Sequence, residues 1–255
     1  IVNSDERQWG WMDEGLDTFM QYLAEQEFGK THPTAIEGLD KYPSRRGEPM
    51  KIVNYMSGDQ SFIAPIMSNP ENVYQLGPNA YGKPATALNI LRETVMGRDL
   101  FDHAFKTYSQ RWMFKHPTPA DFFRTMEDAS AVDLDWFWRG WFYTTDFVDI
   151  GVKEVKQFFV SNEPSKEVLE MLKNYGMTQA DLPPVVFTMV EDNEDFKSEY
   201  RSGSPVDHSQ ALKSYMEENV SEKNAVIKIP KNFYEITFEK PGGLVMPLIV
   251  DYTYA

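Results

Sequence analysis

The chain has 255 residues, 42% of them hydrophobic, which is enough for one large domain or two smaller ones with real cores. Its 25 Lys and Arg against 39 Asp and Glu give a net charge of −14, which disfavours binding to nucleic acid or to an anionic membrane. The absence of cysteine excludes disulfides and thiolate metal sites. It is compatible with a reducing compartment and with a periplasmic or exported bacterial protein, and we favour the second location.

The first predicted helix covers the stretch WGWMDEGLDTFMQYL, residues 9–23. Its apolar residues recur at helical spacing, at Leu16, Phe19, Met20 and Leu23. Asp13 is a candidate cap and Gly29 a candidate stop. Glu14 then lies in the first turn, where the helix dipole favours an ionised carboxylate. Such a carboxylate is either a solvated acid or a metal ligand, and spacing alone favours the solvated acid.

Residues 30–77 are rich in proline and read as mostly irregular, with a short helix predicted around Thr34–Tyr42. The next helix lies within Asn79–Gly97, where Pro84 suits the first helical position and Gly97 the end. Tyr81 is expected just outside the helix start. The pattern alone favours a partly buried aromatic residue at a junction between loop and helix.

Three further helical segments follow. Residues 98–114 carry an apolar face that indicates core packing. Thr118 and Asp121 then form the pattern of a capping box around Pro119. The last helix of the set begins near Asp133. Its three tryptophans cannot all face one core, so we expect at least one to line a cleft or to contact another domain; they are Trp136, Trp138 and Trp141.

The pattern changes after residue 146. Extended segments are predicted near residues 147–160, 233–239 and 244–254, with a hairpin turn at residues 240–243 between the last two. Short helices are predicted at residues 165–175 and 209–220. We therefore divide the chain into a helical domain, residues 1–146, and a second domain, residues 147–255, with strands, short helices and a C-terminal β-hairpin.

The first helical stretch resembles a segment of the M1 family of zinc aminopeptidases. W-M-D-E-G, residues 11–15, is similar to the family's W-L-N-E-G. In that family the glutamate is the third zinc ligand and follows the second His of an H-E-x-x-H helix by eighteen residues. The resemblance implies that Glu14 is this ligand, with Asp13 in place of the family's Asn. A catalytic zinc with two His and one Glu keeps its fourth position open.

A second stretch, NAYGKPATALNI, resembles the M1 pattern Y-x-K-G. Tyr81 and Lys83 are in register with it, and Pro84 replaces the Gly. The resemblance implies that the Tyr81 hydroxyl donates a hydrogen bond to the oxyanion of the tetrahedral intermediate. Residues 118–142 are also similar to the family's T-x-x-D-F segment and the Trp-bearing helix after it. If the resemblance holds, Glu14 and Tyr81 should face one concave surface.

The sequence departs from the family at one decisive point, because it contains no H-E-x-x-H. The resemblance therefore implies the C-terminal helical half of a thermolysin-like M1 catalytic domain, mainly α, followed by an α+β or β-sandwich-like segment. Zinc is expected in the full-length parent, whereas the chain as given should bind none tightly and should be inactive alone. The implied partners are a peptide substrate and the N-terminal part of the same chain.

Two alternatives stay open. In the first, the chain would be a binding or scaffold module that kept the aminopeptidase fold without its zinc. In the second, it would be an unrelated acidic helical domain. The retained Glu14 and Tyr81 argue against the first alternative, and the order of the matching segments argues against the second.

Overall fold

The computed structural model describes residues 2–33, 47–161, 166–181, 186–189, 210, 214 and 232–253. The chain divides into two compact units, one with residues 1–149 and 240–255 and the other with residues 150–239. The predicted fold class is confirmed, because the first half is helical and the second unit combines a helix with an antiparallel sheet. The division at residue 146 into two independent domains stays a prediction.

The described part of the first unit is built mainly from α-helices, and the connection from residue 57 to residue 82 contains short 3₁₀ and π turns. The helices are α1 (Trp11–Thr31), α2 (Pro49–Met56), α3 (Lys83–Ile90), α4 (Arg98–Trp112), α5 (Pro119–Ser130) and α6 (Asp135–Tyr143). Single π-helical turns, Gly77–Gly82 and Leu91–Val95, flank α3. Short 3₁₀ turns cover Gln60–Phe62 and Pro70–Asn72. No helix in the described ranges has the length and apolar character needed to cross a bilayer.

Helix α1 differs from the sequence prediction at both ends. It begins at Trp11 after Gly10, and no side chain caps it, so the prediction of Asp13 as the cap is wrong. Asp13 is already inside the helix, where its backbone N–H donates to the Gly10 carbonyl. The helix continues past Gly29 to Thr31 and ends before a proline, a residue that disfavours helix continuation.

The buried face of α1 is also shifted from the predicted one. The buried residues are Trp11, Met12, Gly15, Thr18 and Phe19, whereas Met20 is exposed. Small residues therefore occupy part of this face. A helix pressed closely against a neighbour favours small side chains over the large apolar ones that the periodicity singles out.

The core of the first unit is aromatic. Trp11 is fully buried, and its ring centroid lies 4.7 Å from that of Phe142 and 5.8 Å from those of Phe122 and Phe123. These rings come from α1, α5 and α6. Aromatic pairs at such separations add to the stabilisation from buried area. The start of α1 is therefore anchored in the packed centre of the unit.

The predicted start of α5 is confirmed. Thr118 accepts from the Asp121 backbone N–H, and the Asp121 carboxylate accepts from the Thr118 backbone N–H at 2.9 Å, which completes the capping box. The tryptophans of α6 divide as expected. Trp138 and Trp141 are buried, whereas Trp136 is partly exposed and lines an open cavity of about 620 Å³.

The second unit contains a three-stranded antiparallel sheet in the order β2-β1-β3. The strands are β1 (Gly151–Ser161), β2 (Val186–Met189) and β3 (Asn232–Glu239), and α7 (Lys166–Asn174) follows β1. In register, Phe159 is opposite Thr188 on one side and Asn232 on the other. The helix predicted at residues 34–42 and most of that predicted at residues 209–220 lie outside the described residues.

The predicted C-terminal hairpin is wrong in its second half. Residues 244–253 form no strand and do not fold back on β3. Gly243 instead forms an isolated parallel bridge with Phe147, and Leu244 is buried with its Cδ1 close to Gly140 of α6. Burial of Leu244 against the helical unit replaces the strand pairing that the turn residues suggest.

Candidate functional site

Glu14 lies one helical turn after the buried Trp11. Its backbone N–H donates to the Gly10 carbonyl at 2.9 Å, and its own carbonyl accepts from the Thr18 hydroxyl at 2.5 Å. The residue is half-buried, between the core-facing Gly15 and the exposed Asp13. Its backbone is therefore fixed by the helix and by the aromatic anchor, while its side chain has access to solvent.

Acidic residues surround the start of α1. The pKa of Asp13 is raised, first by partial burial and then by a hydrogen bond and repulsion from Glu6, with a smaller contribution from Asp17. Glu14 belongs to the same stretch. A cluster of carboxylates raises the negative potential at the helix start, which favours a cation or an amino group as ligand. The attraction between the helix N-terminus and carboxylates stabilises this arrangement.

Gly15 brings the start of α1 into direct contact with the segment that carries Tyr81. A Cβ atom at Gly15 would lie 2.6 Å from Cγ of Pro84 and 3.0 Å from the carbonyl oxygen of Ala80. Real side chains do not tolerate such approaches, so only glycine lets the two helix starts pack this closely. The residue beside Glu14 thus touches the residue before Tyr81.

Tyr81 is part of the π-helical turn Gly77–Gly82, which runs directly into α3. The prediction that it lies just outside the start of the α-helix is confirmed, since α3 begins at Lys83, but the residues before that start form a π turn and not a loop. Its partial burial also agrees with the sequence analysis. The backbone N–H of Lys83 donates to the carbonyl of Pro78, five positions earlier, which is the π-helical pattern, and Pro84 after it has no N–H to donate. Single π turns of this kind often occur at functional sites.

The side chain of Asn79 links the π turn to an earlier part of the chain by hydrogen bonds, and the sequence analysis does not identify this residue. Its side-chain amide is buried and donates to the carbonyls of Ala64 and Pro65 at 2.8 and 3.3 Å, with a third contact of 3.4 Å to the Tyr55 hydroxyl. These partners precede it by 14 to 24 positions. Only the three-dimensional structure shows them, because asparagine at a helix start usually signals a cap.

Lys83 is the second residue that the sequence analysis does not single out for burial. It is 1% exposed, and its ammonium donates to the carbonyl of Thr144 at 3.1 Å. Burial lowers the pKa of Lys83 to about 8, and the negative charge of Asp146 partly opposes this effect. The motif match with Y-x-K-G is the one signal in the sequence that marks this position.

An open cavity of about 220 Å³ adjoins the π turn on the side of α2. Its walls include Lys51, Ile52 and Tyr55 from α2, together with Gly77 and Gly82 from the turn. A Cβ at Gly77 would meet no atom within 4 Å. The turn therefore borders open space at Gly77, whereas a Cβ at Gly82 would lie 3.1 Å from Cδ1 of Ile52.

The residues described here do not by themselves form a zinc site. In the described ranges one group of three acidic or histidine side chains comes together, namely Glu127, Asp133 and Asp135, and Glu14 is not among them. That group lies at the connection from α5 to α6, where Glu127 accepts from the Leu134 N–H and Asp133 accepts from the Asp135 N–H. Its hydrogen bonds are those of a helix connection.

The packing of Gly15 on Ala80 and Pro84 thus brings together the backbone segments that carry Glu14 and Tyr81. Whether the two side-chain tips converge on one reacting centre stays a prediction. No histidine joins them in the described ranges to complete a metal-binding group. What the arrangement offers is an ionisable carboxylate and a phenol on two packed helix starts.

Comparison with known proteins gives one result that bears on identity. The family model described as Peptidase family M1 domain matches residues 2–141, which is more than half of the chain. No curated protein and no solved structure matches. The matched region contains α1 through most of α6, including Glu14, Tyr81 and the core residues Trp11, Phe122 and Phe123. The chain therefore belongs to peptidase family M1.

Proposed function

We propose that the protein acts as a zinc aminopeptidase, with Glu14 as one zinc ligand and Tyr81 as the hydrogen-bond donor to the oxyanion. The observation that carries this proposal is the contact of Gly15 with Ala80 and Pro84. It packs the turn bearing the carboxylate against the turn bearing the phenol. Two residues that serve one reaction must be held close, and this contact provides that condition.

Each residue has a separate task in this proposal. Glu14 provides a carboxylate on a rigid helix start, and two imidazoles from residues outside 1–255 complete the ligand set. The chemistry that a zinc ion would supply if bound there is polarisation of the scissile carbonyl. The Tyr81 hydroxyl donates a hydrogen bond where negative charge develops on that carbonyl oxygen. The acidic start of α1 attracts the amino terminus of a peptide substrate.

The first experiment uses the full-length enzyme and an aminoacyl-anilide substrate. Tyr81→Phe should lower kcat by ~10²–10³-fold while zinc content and KM change little, because one oxyanion donor is lost. Tyr74→Phe is the matched control, since Tyr74 is 81% exposed and outside the proposed site. An unchanged kcat in Tyr81→Phe shows that this tyrosine is not the donor.

The second experiment concerns the metal. Glu14→Gln should reduce the zinc content of the full-length enzyme, measured by metal analysis after dialysis. Asp17→Asn, which changes an exposed acidic residue on the same helix, is the control and should leave the zinc content unchanged. Residues 1–255 alone should show neither turnover nor stoichiometric zinc in calorimetry. Micromolar binding of one zinc by residues 1–255 contradicts the proposed ligand set. Full-length protein that binds peptides without turnover supports the scaffold alternative.

A further inference from the structure

Lys83 is a buried cation to which the proposed reaction gives no task. It is the first residue of α3, directly after the π turn that carries Tyr81, and its side chain is 1% exposed. Lysine is almost never fully buried unless it is paired, because removing an ammonium from water is costly. An apolar side chain of similar length avoids that cost. The presence of a charged donor here therefore calls for a specific partner.

The partner is the C-terminal end of α6. The Lys83 ammonium donates to the carbonyl of Thr144, the residue that follows the last residue of that helix, at 3.1 Å. The unpaired carbonyls at a helix C-terminus carry partial negative charge and favour a cation. Asp146, two residues later, adds a full negative charge nearby. The end of α6 thus offers Lys83 a hydrogen bond and a favourable electrostatic potential.

The end of α6 is itself firmly held. The Thr144 hydroxyl donates to the Gly140 carbonyl at 2.8 Å, and it accepts from the Asp146 N–H at 3.2 Å. Gly140 in turn lies against the buried Leu244. The carbonyl that receives the Lys83 ammonium is therefore part of a fixed structure, so that the hydrogen bond transmits position and does not move with a flexible segment.

The π turn of Tyr81 is consequently fastened at two points. Gly15 of α1 presses on Ala80 and Pro84, and the Lys83 ammonium reaches the end of α6. Tyr81 lies between these points in the sequence. The packing contact at Gly15 sets how closely the turn approaches α1, and the hydrogen bond of Lys83 adds a preferred distance and direction relative to the end of α6.

We propose that Lys83 is a positioning residue for Tyr81: it ties the start of α3 to the end of α6 and so fixes the turn from which the Tyr81 hydroxyl is presented. This inference rests on the proposed role of Tyr81. Lys83 touches neither substrate nor metal in this view and acts through the backbone of the turn. A misplacement of a catalytic group by about 1 Å is sufficient to cost a large factor in rate.

A double-mutant cycle in the full-length enzyme tests the inference. Lys83→Met keeps the length of the side chain and removes the donor. It should lower kcat about tenfold with KM changed less than about twofold, because residues that act as a unit are energetically coupled. In the Tyr81→Phe background the same substitution should lower kcat less than about twofold. Lys106→Met, at an exposed lysine of α4 outside the candidate site, is the matched control and should leave kcat unchanged.

A second readout does not depend on activity. Hydrogen exchange of the amides in residues 77–88 should become faster in Lys83→Met, while the amides of α4 and α5 keep their wild-type rates. If Lys83→Met does not fold, Lys83→Leu, an apolar side chain that also removes the donor, takes its place. Unchanged exchange in residues 77–88 overturns the inference.

The outcomes separate the inference from the proposed function. If Tyr81→Phe alone retains full kcat, the role of Tyr81 fails and the positioning role fails with it. If Tyr81→Phe is slow but Lys83→Met lowers kcat by the same factor in both backgrounds, the proposed function stands and the positioning role of Lys83 is refuted. The positioning role of Lys83 is supported if Lys83→Met lowers kcat less in the Tyr81→Phe background than in wild type and if hydrogen exchange in residues 77–88 becomes faster.

Discussion

Replacing Lys83 with methionine also tests whether a charged ammonium is really held in the core of the first unit. The pKa of Lys83 falls from the usual 10.5 to about 8 because burial disfavours the charged form. Between these two values the unfolded chain binds the proton more often than the folded chain. The free energy of unfolding therefore rises as the pH increases through this window.

The magnitude follows from the same two values. At ~1.36 kcal/mol per pKa unit, the fall from 10.5 to about 8 corresponds to about 3 kcal/mol. Below pH 8 both states are protonated and the folded state carries the whole cost; above pH 10.5 both are neutral and the cost is absent. Linkage places about 2 kcal/mol of the rise between ~pH 7 and ~pH 9.5.

Denaturant unfolding at a series of pH values measures this rise. The fluorescence of the buried Trp11, Trp138 and Trp141 reports on the first unit. Lys83→Met leaves the Thr144 carbonyl without its donor, which costs ~1–3 kcal/mol at every pH. The decisive quantity is consequently the change with pH in the difference between wild type and variant, not its value at one pH.

The expected result is that wild type gains about 2 kcal/mol relative to Lys83→Met between ~pH 7 and ~pH 9.5. Lys51→Met is the matched control, because an exposed lysine has no buried charge to lose. Its difference from wild type should stay flat over the same range. Parallel pH curves for wild type and Lys83→Met refute the reasoning, since they show that the ammonium is not desolvated in the folded protein.

Four further substitutions test packing, capping and buried hydrogen bonds in the first unit, each by denaturant unfolding. Gly15→Ala should lower the free energy of unfolding although alanine favours helix by ~1 kcal/mol, because overlap with Pro84 costs ~1–3 kcal/mol. Gly77→Ala, which meets open space, should be neutral or stabilising, and equal effects at the two glycines contradict the close contact. Thr118→Ala should cost ~1 kcal/mol through loss of the capping box, and a negligible cost speaks against that box. Asn79→Ala should cost ~1–3 kcal/mol, and no change argues against its buried hydrogen bonds.

Local signals in the sequence predict much of the helical unit. The capping box at Thr118 is confirmed because all its partners lie within four positions. Helix α2 is missed because Pro49 reads as a break in a proline-rich stretch, whereas it occupies the first helical position. A proline is thus compatible with a break in a helix and with the start of one, and only the residues packed against the segment decide between the two.

The contacts that shape the candidate site are not local. The partner of Lys83 lies 61 positions away, and the sequence of either segment contains no sign of the other. The π turn before α3 is equally invisible, because helical periodicity over six residues does not distinguish it from an α-helical turn. Family resemblance marks Glu14 and Tyr81 as candidates. It does not reveal that Gly15 is the residue on which their backbones meet.

The isolated bridge between Phe147 and Gly243 has a consequence for the architecture of the chain. It joins the point where the polypeptide leaves the helical unit to the point where it returns, and Gly242 lies close to both Phe147 and Asp149. Residues 150–239 are therefore an excursion whose two ends meet. The entropic cost of closing such a loop grows only slowly with its length. The excursion can accordingly be lengthened, shortened or exchanged during evolution without straining the helices that carry Glu14 and Tyr81.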